Sequence, residues 1–413
     1  MTPLSAPDVP ADQQIVVGVA GGISAYKVCG LVRLFKESGY SVQVIPTESA
    51  LEFVGAPTWA ALSGNPVSSS VWESVADVPH VRLGQEADLL VVAPATANLL
   101  AKAATGLADD LLTNTLLTAR CPIIFAPAMH TEMWEHPATQ HNVATLQSRG
   151  HLVLPPDSGR LTGSDTGPGR LPDIAAIYAV AAAQLAGISE PDMQGQRVVI
   201  SAGGTQEPLD PVRYLGNHSS GKMGHALAAT ALVRGADVTL VSANITLPEL
   251  PGVQTISVQT AAQLQDAMIS TCADADIVVM AAAVADFRPE SAADTKIKKQ
   301  TADAGLTLDL VQNPDILADL VGRRAADQTI VGFAAETGDA QASVLELGQQ
   351  KLARKQCDFL VVNDVSDDLA FGSDNNQVTV LAAAGSATQT PRADKTIVAN
   401  QIWDVVCAPR QNP

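Results

Sequence analysis

The sequence predicts an α/β protein of two Rossmann-like domains with parallel-type sheets, because one strand–turn–helix–strand plan occurs twice. In the first half an apolar strand at Ile15–Ala20 is followed by Gly21-Gly22, by a segment with apolar residues at helical spacing, and by the strand SVQVIPT. In the second half the segments RVVISAGGT, KMGHALAATALVR and ADVTLVSA repeat that order. Strands that alternate with helices form parallel sheets, and ligands of such sheets bind at the carboxyl ends of the strands.

Later segments extend both sheets. ADLLVVAPATAN in the first half parallels ADIVVMAAAVADFRP in the second, and each reads as a buried strand that ends in a loop of small residues. CDFLVVNDVS supplies a further strand near the end of the chain. We therefore expect a disordered N-terminus over 1–13, a first domain over 14–185, a polar linker over 186–196 and a second domain over 197–408.

Composition limits the classes of function. The chain has 413 residues, of which 46% are hydrophobic, 16% charged and 4% aromatic, enough for two buried cores. The formal net charge of −18 has the wrong sign for non-specific nucleic-acid binding, so no nucleic-acid partner is expected. Anionic substrates would need locally basic sites.

The cysteines and the first residues of the chain indicate the cellular compartment. Five cysteines are scattered without a C-x-x-C pair, which favours a reducing, cytoplasmic compartment without a disulfide framework. The polar, proline-rich start does not resemble a signal peptide. No apolar run reaches about 18 residues, so no membrane span is expected.

The turn at Gly21, Gly22 and Ser24 lies between a strand and a helix, where backbone amides and the helix dipole favour an anion. By itself it is as consistent with a plain tight turn as with a phosphate site, and it lacks G-x-G-x-x-G. Three further segments change this interpretation: PHVRLGQEADLLVVAPATAN, PIIFAPAMHTEMW and PDSGRLTGSDTGPGRL. With GGISAYK they resemble the flavin-containing cysteine decarboxylases, and from about residue 12 to 408 the chain resembles the bifunctional phosphopantothenoylcysteine decarboxylase/phosphopantothenate–cysteine ligase family.

The resemblance implies a flavodoxin-like domain that binds FMN. In this family the substrate thiol is oxidised by FMN, the carboxylate leaves as carbon dioxide, and reduction of the resulting enethiolate gives 4′-phosphopantetheine. His80 matches the active-site histidine, whose pKa suits proton transfer; a capping or surface histidine is the structural alternative. By resemblance, the FMN-binding residues are Gly21, Gly22, Ser24, Thr47, Pro94, Thr96 and Asn98, and Met129 and His130 meet the substrate.

Two positions depart from the family pattern. His130 stands where an asparagine usually holds the substrate carboxylate. The segment PDSGRLTGSDTGPGR, residues 156–170 and here called the flap, carries Gly163 where many members have a proton-donating cysteine. Thr162, Ser164, Asp165 or a water molecule are the alternatives for the final proton donor.

The second half contains a match to the phosphate-loop pattern, G-x-x-x-x-G-K, from Gly216 to Lys222. Met223 replaces the magnesium-binding hydroxyl, and TQEPLDPVRYL separates the match from its strand. We therefore expect Ser219 and Ser220 to be N-cap donors of an anion-binding helix start without a metal ligand, or simply structural caps.

DPVRYLGNHSSGKMG resembles the hallmark segment of phosphopantothenate–cysteine ligases, and AAAVADFRP, KIKK, NPDI, VGFAAET and KLARK follow in family order. The resemblance implies a ligase domain in which CTP activates phosphopantothenate as an acyl-cytidylate and L-cysteine displaces CMP. Arg213 and Asn217 then face the acyl-cytidylate, and Ser219, Ser220 and Lys222 hold the substrate phosphate. The implied CTP-binding residues are Met280, Ala281, Ala282, Asp286, Lys296, Asn313, Pro314, Asp315, Ile316, Phe333, Lys351 and Lys355, and Asp286 is also the candidate ligand for Mg²⁺.

Lys351 and Lys355 lie four residues apart and therefore on one helix face, which is also a common arrangement for a solvated surface. Two other functions stay open at this point: a flavin oxidoreductase fused to a nicotinamide-binding domain, and an FMN-binding regulatory protein. The resemblance further implies trimeric flavin domains with FMN at subunit contacts and dimeric ligase domains, which together would give a homododecamer.

Overall fold

The computed structural model describes residues 13–72, 78–161, 165–188, 191–298, 306–338, 342–364 and 375–408. The chain divides into two compact units, Met1–Leu185 with Pro248–Gly252, and Ala186–Leu247 with Val253–Pro413. The expected disorder over 1–13 lies outside the described residues except for Gln13. Among the described residues, no helix has the length and apolar character needed to cross a membrane.

The first unit contains a parallel five-stranded sheet in the order β2-β1-β3-β4-β5, the strand order of flavodoxin-like folds. Its strands are β1 (Gln14–Val19), β2 (Ser41–Pro46), β3 (Leu89–Ala95), β4 (Ile123–Pro127), β5 (Leu152–Val153), β6 (Asp157–Arg160) and β7 (Thr166–Arg170). Its helices are α1 (Ala25–Glu37), α2 (Glu48–Leu51), α3 (Ala56–Ser63), α4 (Pro79–Glu86), α5 (Ala97–Thr105), α6 (Leu111–Thr118), α7 (Thr131–Trp134), α8 (Pro137–Ser148) and α9 (Ile174–Leu185).

The central strands of this sheet are buried throughout. Every residue of Leu89–Ala95 is buried, and so is every residue of Ile123–Pro127, because a parallel sheet is covered by helices on both faces. The antiparallel hairpin of β6 and β7 stands apart from the sheet and contains the flap. The strand carboxyl ends are thus fixed by a packed core, and the flap is a separate ribbon beside them.

The second unit contains an eight-stranded sheet in the order β12-β11-β8-β13-β16-β17-β19-β20. Its strands are β8 (Arg197–Gly203), β9 (Gln206–Pro208), β10 (Tyr214–Gly216), β11 (Asp237–Ala243), β12 (Gln254–Val258), β13 (Ile277–Met280), β14 (Phe287–Pro289), β15 (Leu310–Gln312), β16 (Thr329–Glu336), β17 (Phe359–Asp364), β18 (Asn375–Asn376), β19 (Val378–Ala382), β20 (Ala387–Gln389) and β21 (Ala393–Asp394). Its helices are α10 (Lys222–Val233), α11 (Ala261–Cys272), α12 (Ile316–Arg323), α13 (Val344–Lys355) and α14 (Lys395–Val406).

The first six strands of that sheet run parallel, and in chain order within the unit they read 3-2-1-4-5-6, the order of the Rossmann fold. The two Rossmann-like halves expected from the sequence are therefore present. The antiparallel edge strands β19 and β20 were not expected, nor were the short ribbons β9–β10, β14–β15 and β18–β21. The hydrophobic period of a strand does not report the direction of the strand, and strands of two or three residues are too short to show a period. For these two reasons the sequence pattern did not predict these elements.

The start of α10 differs from the expected serine caps. Gly221 is the N-cap residue, with φ 73°, and no side chain caps the helix. The Ser219 hydroxyl instead accepts a hydrogen bond from the Gly221 amide at 3.4 Å. A Cβ at Gly221 would lie 2.5 Å from the Ile245 side chain, so the turn requires glycine for both conformation and space. The interpretation of Ser219 and Ser220 as N-caps is therefore wrong, while the helix itself is confirmed.

Candidate active sites

A cavity of about 890 Å³ lies at the carboxyl ends of the strands in the first unit. It brings together all the residues expected to hold FMN and both residues expected to meet the substrate. They are Gly21, Gly22, Ser24, Thr47, Pro94, Thr96, Asn98, Met129 and His130.

Helix starts converge on this cavity. Ser24 is the N-cap residue of α1 and makes no capping hydrogen bond with its side chain. The Thr96 hydroxyl caps α5 by accepting from the Leu99 amide at 3.3 Å. A Cβ at Gly21 would lie 2.3 Å from the Cβ of Ser49, so only glycine allows the backbone at residue 21 to approach Ser49 this closely. Positive helix ends and exposed amides around one cavity suit an anionic group such as a phosphate.

The base of the flap packs directly against the substrate side of the cavity. The Met129 amide donates to the Gly169 carbonyl at 2.9 Å. A Cβ at Gly169 would lie 2.2 Å from the Met129 carbonyl oxygen, and one at Gly167 would lie 2.5 Å from the Thr131 hydroxyl. His130 is exposed, lines the cavity and is the N-cap residue of α7, but its side chain makes no capping hydrogen bond. Backbone contact therefore couples the flap to the Met129–Thr131 segment.

The candidate proton donors of the flap are only partly described. Asp165 closes the turn, since its carbonyl accepts from the Leu161 amide at 2.7 Å. Thr162, Gly163 and Ser164 lie outside the described residues. Arg160 and Arg170, on the two strands of the hairpin, line the cavity and were not singled out from the sequence.

His80 does not line this cavity. It lies in the first turn of α4, and its carbonyl accepts a hydrogen bond from the Thr118 hydroxyl at 2.7 Å. The Nδ1 atom of His80 is buried, and no hydrogen-bond partner for it occurs among the described residues. The structure of this unit alone thus does not bring His80 together with the other predicted residues.

A second cavity, of about 940 Å³, lies at the carboxyl ends of the strands in the second unit. Most of the residues predicted for the ligase line it: Asn217, Ser219, Ser220, Lys222, Met280, Ala281, Ala282, Asp286, Asn313, Pro314, Asp315, Ile316, Phe333, Lys351 and Lys355. Arg213 and Lys296 do not line it. Lys298 is exposed, and Lys299 lies outside the described residues.

The cavity wall nearest α10 is held by backbone and amide contacts. Gly204 and Ala283 form a parallel bridge between the two loops that leave β8 and β13. The Asn217 side-chain amide donates to the Val284 carbonyl at 3.0 Å. Asn217 therefore lies across the crevice between these loops, where Rossmann-like sheets bind their ligands.

The opposite side of the cavity is basic. Lys351 Nζ lies 3.0 Å from the Glu336 carboxylate, and Lys355 hydrogen-bonds to Asp315. Burial alone would raise the pKa of Asp315, but the hydrogen bond with Lys355 holds this pKa below its usual value. Both lysines lie on one side of α13, as their spacing predicted, and that side lines the cavity. Each is already oriented by a carboxylate.

Sequence reasoning missed several residues of the second cavity: Arg354, Asn363, Asn376 and Lys395. Asn363 is the penultimate residue of the strand β17, so the rule that ligands meet strand carboxyl ends would have found it. Its Oδ1 atom is buried and has no hydrogen-bond partner among the described residues. Asn376 and Lys395 belong to the β18–β21 ribbon and the start of α14, which carried no sequence signal.

No group of three or more His, Cys, Asp or Glu side chains that could hold a metal ion occurs in the described part of the chain. Asp286 is exposed, and its carbonyl accepts from the Asn313 amide at 2.8 Å. The protein residues alone do not form a complete magnesium site here.

The folds and cavities define a two-part α/β protein, with a flavodoxin-like unit followed by a Rossmann-like unit. Residues 5–186 match the flavoprotein family, and residues 193–409 match the DNA/pantothenate metabolism flavoprotein C-terminal domain. A coenzyme A biosynthesis bifunctional protein CoaBC from Mycolicibacterium smegmatis is 54% identical over 406 residues, which are 96% of this chain and 98% of the relative. The Escherichia coli K12 protein of the same description is 43% identical over 370 residues, 89% of this chain and 90% of the relative.

The chain belongs to the family of coenzyme A biosynthesis bifunctional proteins. It is a bifunctional enzyme, a decarboxylase in its flavoprotein half and a phosphopantothenate–cysteine ligase in its C-terminal half. Among solved structures, the C-terminal domain of a coenzyme A biosynthesis bifunctional protein CoaBC is 34% identical with a TM-score of 0.44, covering 53% of this chain and 97% of that one. A PPC decarboxylase mutant complexed with pantothenoylaminoethenethiol is 31% identical with a TM-score of 0.39, covering 41% of this chain and 97% of that one.

Proposed function

We propose that the second unit uses CTP to condense 4′-phosphopantothenate with L-cysteine through an acyl-cytidylate. We propose also that the first unit then decarboxylates 4′-phosphopantothenoylcysteine to 4′-phosphopantetheine with FMN. The observation that carries the proposal is the ligase cavity, which has a helix start on one side and Lys351, Arg354 and Lys355 on the other. Nucleotidyl transfer needs cations around a triphosphate, and this cavity supplies them in an otherwise acidic protein.

The start of α10 suits a phosphate group. Two ligands carry such a group, phosphopantothenate and CTP. The sequence-based expectation gives the site to the phosphopantothenate phosphate. The strand order 3-2-1-4-5-6 favours nucleotide phosphates instead, because α10 follows the first strand and faces the crevice between β8 and β13. We therefore assign the Ser219–Lys222 turn to the CTP phosphates, with Asn217 directed at the reacting carbonyl and Phe333 beside the nucleoside.

Mg²⁺ enters this proposal together with CTP, with Asp286 as the carboxylate that the protein contributes. A triphosphate brings its own oxygen ligands, so a complete protein cage is not required. We also assign the enzyme to the cytoplasm, on the scattered cysteines and the absence of a C-x-x-C pair.

The first cavity fits FMN. Gly21, Gly22 and Ser24 would hold its phosphate at the start of α1, and Thr47, Pro94, Thr96 and Asn98 would border the rest. When bound, FMN supplies the two-electron redox chemistry of the substrate thiol. The chain's own tasks are to orient the substrate carboxylate through Met129 and His130, to exclude water with the flap, and to move protons.

The position of His80 supports an oligomer in the proposal. A proton-transfer group must come within hydrogen-bond reach of its substrate, and His80 does not line the cavity of its own unit. Large apolar side chains are exposed at the rim of that cavity, among them Ile23 at 65% and Trp72 at 80%. Exposed apolar surface of this kind marks interaction sites. We propose a trimer of flavin units in which His80 serves the cavity of a neighbouring subunit.

The ligase unit also exposes apolar side chains, on the β9–β10 and β14–β15 ribbons. Tyr214 is 57% exposed and Phe287 is 50% exposed. We propose that these ribbons form a dimer contact, and dimeric ligase units combined with trimeric flavin units give the dodecamer.

The test uses the purified full chain. We expect bound FMN in the absorbance spectrum and pyrophosphate release that requires both CTP and phosphopantothenate. Addition of L-cysteine should release CMP and then carbon dioxide. Reduced-nicotinamide oxidation without pyrophosphate release would favour a flavin oxidoreductase, and bound FMN without either turnover would favour a regulatory protein.

A further inference from the structure

Two residues predicted for the ligase reaction, Arg213 and Lys296, do not line the cavity, and one buried carboxylate bonds to Arg213 and to Ile297, the neighbour of Lys296. Asp210 lies in the turn between β9 and β10, and its side chain is fully buried. It accepts five hydrogen bonds from two separate chain segments. The burial of a carboxylate is costly unless it is paired and hydrogen-bonded, so this set of partners needs a physical reason.

The two oxygens of Asp210 have different partners. Oδ1 accepts from the amides of Val212 at 2.9 Å and Arg213 at 2.8 Å, which closes the β9–β10 turn. Oδ2 accepts from Arg213 Nε at 3.1 Å and from the Ile297 amide at 3.0 Å. Oδ1 therefore makes only local bonds, whereas Oδ2 binds the Arg213 guanidinium and makes the one tertiary bond, to the Ile297 amide in the segment that carries Lys296.

Further bonds hold the same two segments together. Arg213 Nη2 donates to the Ile297 carbonyl at 3.0 Å, and the Ala293 amide donates to the Leu209 carbonyl at 3.0 Å. Ile297 is thus held at both its amide and its carbonyl, while its neighbours Lys296 and Lys298 are exposed. The Arg213 guanidinium and the backbone amides hold the pKa of Asp210 well below its usual range, so the carboxylate is charged at neutral pH.

Both segments lead directly into the cavity wall. Four residues after Arg213 the chain reaches Asn217, the first residue of the α10 wall that lines the cavity. On the other side, Asp286 lines the cavity and the chain then passes through β14 to the Ala293–Lys298 segment. Asp210 is therefore the buried carboxylate in a small set of bonds that joins the two chain segments leaving the cavity at Asn217 and at Asp286.

We propose that Asp210 is a positioning residue of the ligase, which holds Arg213 and the Lys296 segment in the arrangement that the CTP-dependent step requires. The inference rests on the proposed function of this cavity. Arg213 and Lys296 do not line the cavity, and the proposal assigns them to the reacting complex rather than to initial CTP binding. When the hydrogen bonds to Oδ2 are lost, the loss of activity should therefore appear in kcat rather than in KM.

Asp210→Asn tests the proposal, because asparagine has one acceptor oxygen and presents donors in place of the other. The local turn bonds to the Val212 and Arg213 amides are retained more easily than the tertiary bond to the Ile297 amide, since they close a shorter loop. We expect kcat for pyrophosphate release to fall at least about tenfold, with KM for CTP within about threefold. Hydrogen exchange should accelerate in the peptide that contains Ile297 and stay slow in the peptide that contains the Val212 and Arg213 amides.

The matched control is Asp319→Asn on α12, which also removes a salt bridge to an arginine (Arg323, 2.6 Å) and a bond from Gln265. Ile297→Pro removes the same tertiary bond from the other side, in case Asp210→Asn does not fold. Unchanged kcat in Asp210→Asn, or unchanged exchange at Ile297, overturns the proposal. A wild-type chain without CTP-dependent pyrophosphate release would instead overturn the proposed function.

Discussion

The thiols of the flavoprotein half lie in surroundings that keep them protonated. Burial raises the pKa of Cys29, and burial raises the pKa of Cys121 to about 11. Neither residue lines the first cavity. Since the thiolate is the reactive form, both groups are poor nucleophiles and poor proton donors at neutral pH. We therefore expect the final proton of the decarboxylation cycle to come from another group or from water.

We predict that treatment with iodoacetamide at pH 7.5 leaves carbon dioxide release largely intact. At that pH a thiol of pKa about 11 is only ~0.03% thiolate, so alkylation of Cys121 is slow and should accelerate as the pH rises. Mass spectrometry of the alkylated chain, measured beside the turnover rate, checks this. If modification of Cys29 or Cys121 stops the cycle at the oxidised enethiol, the inference is contradicted.

At the scale of elements, the start of α10 depends on a glycine where serine caps were expected. Gly221 adopts a left-handed conformation, and Gly224 allows α10 to approach β8 so closely that a Cβ would lie 2.4 Å from that of Ala202. Close approach to the sheet aims the first amides of the helix at the crevice. The serines before the helix are consequently available to a ligand rather than required as caps.

We predict that the double substitution Ser219→Ala and Ser220→Ala raises the apparent dissociation constant for CTP by about tenfold. The affinity for phosphopantothenate should stay nearly unchanged. Loss of hydrogen bonds to a charged group is worth about 1.5–3 kcal/mol each in a buried setting, and less at this exposed turn. Calorimetry with each ligand separately measures the effect. Weaker phosphopantothenate binding with normal CTP affinity would instead assign the Ser219–Lys222 turn to the phosphate of phosphopantothenate.

Thr260→Ala is the control for this experiment. Thr260 caps α11 by accepting from the Gln263 amide, and it does not line the cavity. Its loss should cost about 1 kcal/mol of stability without any change in ligand binding. A thermal unfolding scan then separates the generic cost of a lost cap from a lost ligand contact.

The sequence predicted those parts of the two units that depend on local pattern. The apolar strands, Gly21-Gly22 and the i,i+4 pair on α13 follow from periodicity and turn chemistry. The structure places the two glycines after a strand end and both lysines on one side of α13, as expected. Asn376 and Lys395 reach the cavity through a two-residue ribbon whose pairing is tertiary, so no local pattern announced them. Arg213 and Lys296 illustrate the converse, because the family resemblance identified the residues but could not show that Asp210 bonds to Arg213 and to Ile297, the neighbour of Lys296.

At the scale of the whole molecule, the location of His80 makes the proposed trimer testable by complementation. Gly22→Asp should fold, because a Cβ there would lie 3.7 Å from its nearest neighbour, but its carboxylate should repel the FMN phosphate. His80→Asn should retain FMN and lose carbon dioxide release by at least about a hundredfold. We predict that co-expression of the two variants restores activity, because mixed trimers combine an intact cavity with an intact histidine.

Each variant expressed alone is the control for the complementation. Activity should stay absent in mixtures of separately purified proteins if trimers do not exchange subunits. Normal turnover by His80→Asn alone would show that His80 takes no part in the reaction. If co-expression restores no activity, His80 acts in the cavity of its own subunit.

The last helix of the chain has a consequence for synthesis on the ribosome. Trp403 of α14 is fully buried, and its indole donates to the Leu227 carbonyl of α10 at 3.1 Å across 176 residues of sequence. The helix that we propose to present the phosphate site therefore lacks this packing partner until residue 403 has emerged, whereas every strand of the first sheet precedes residue 154. At 5–20 residues per second, roughly 10 to 45 s of translation separate residue 185 from residue 403. We expect a ribosome-bound nascent chain to acquire FMN during that interval, before it can acquire CTP.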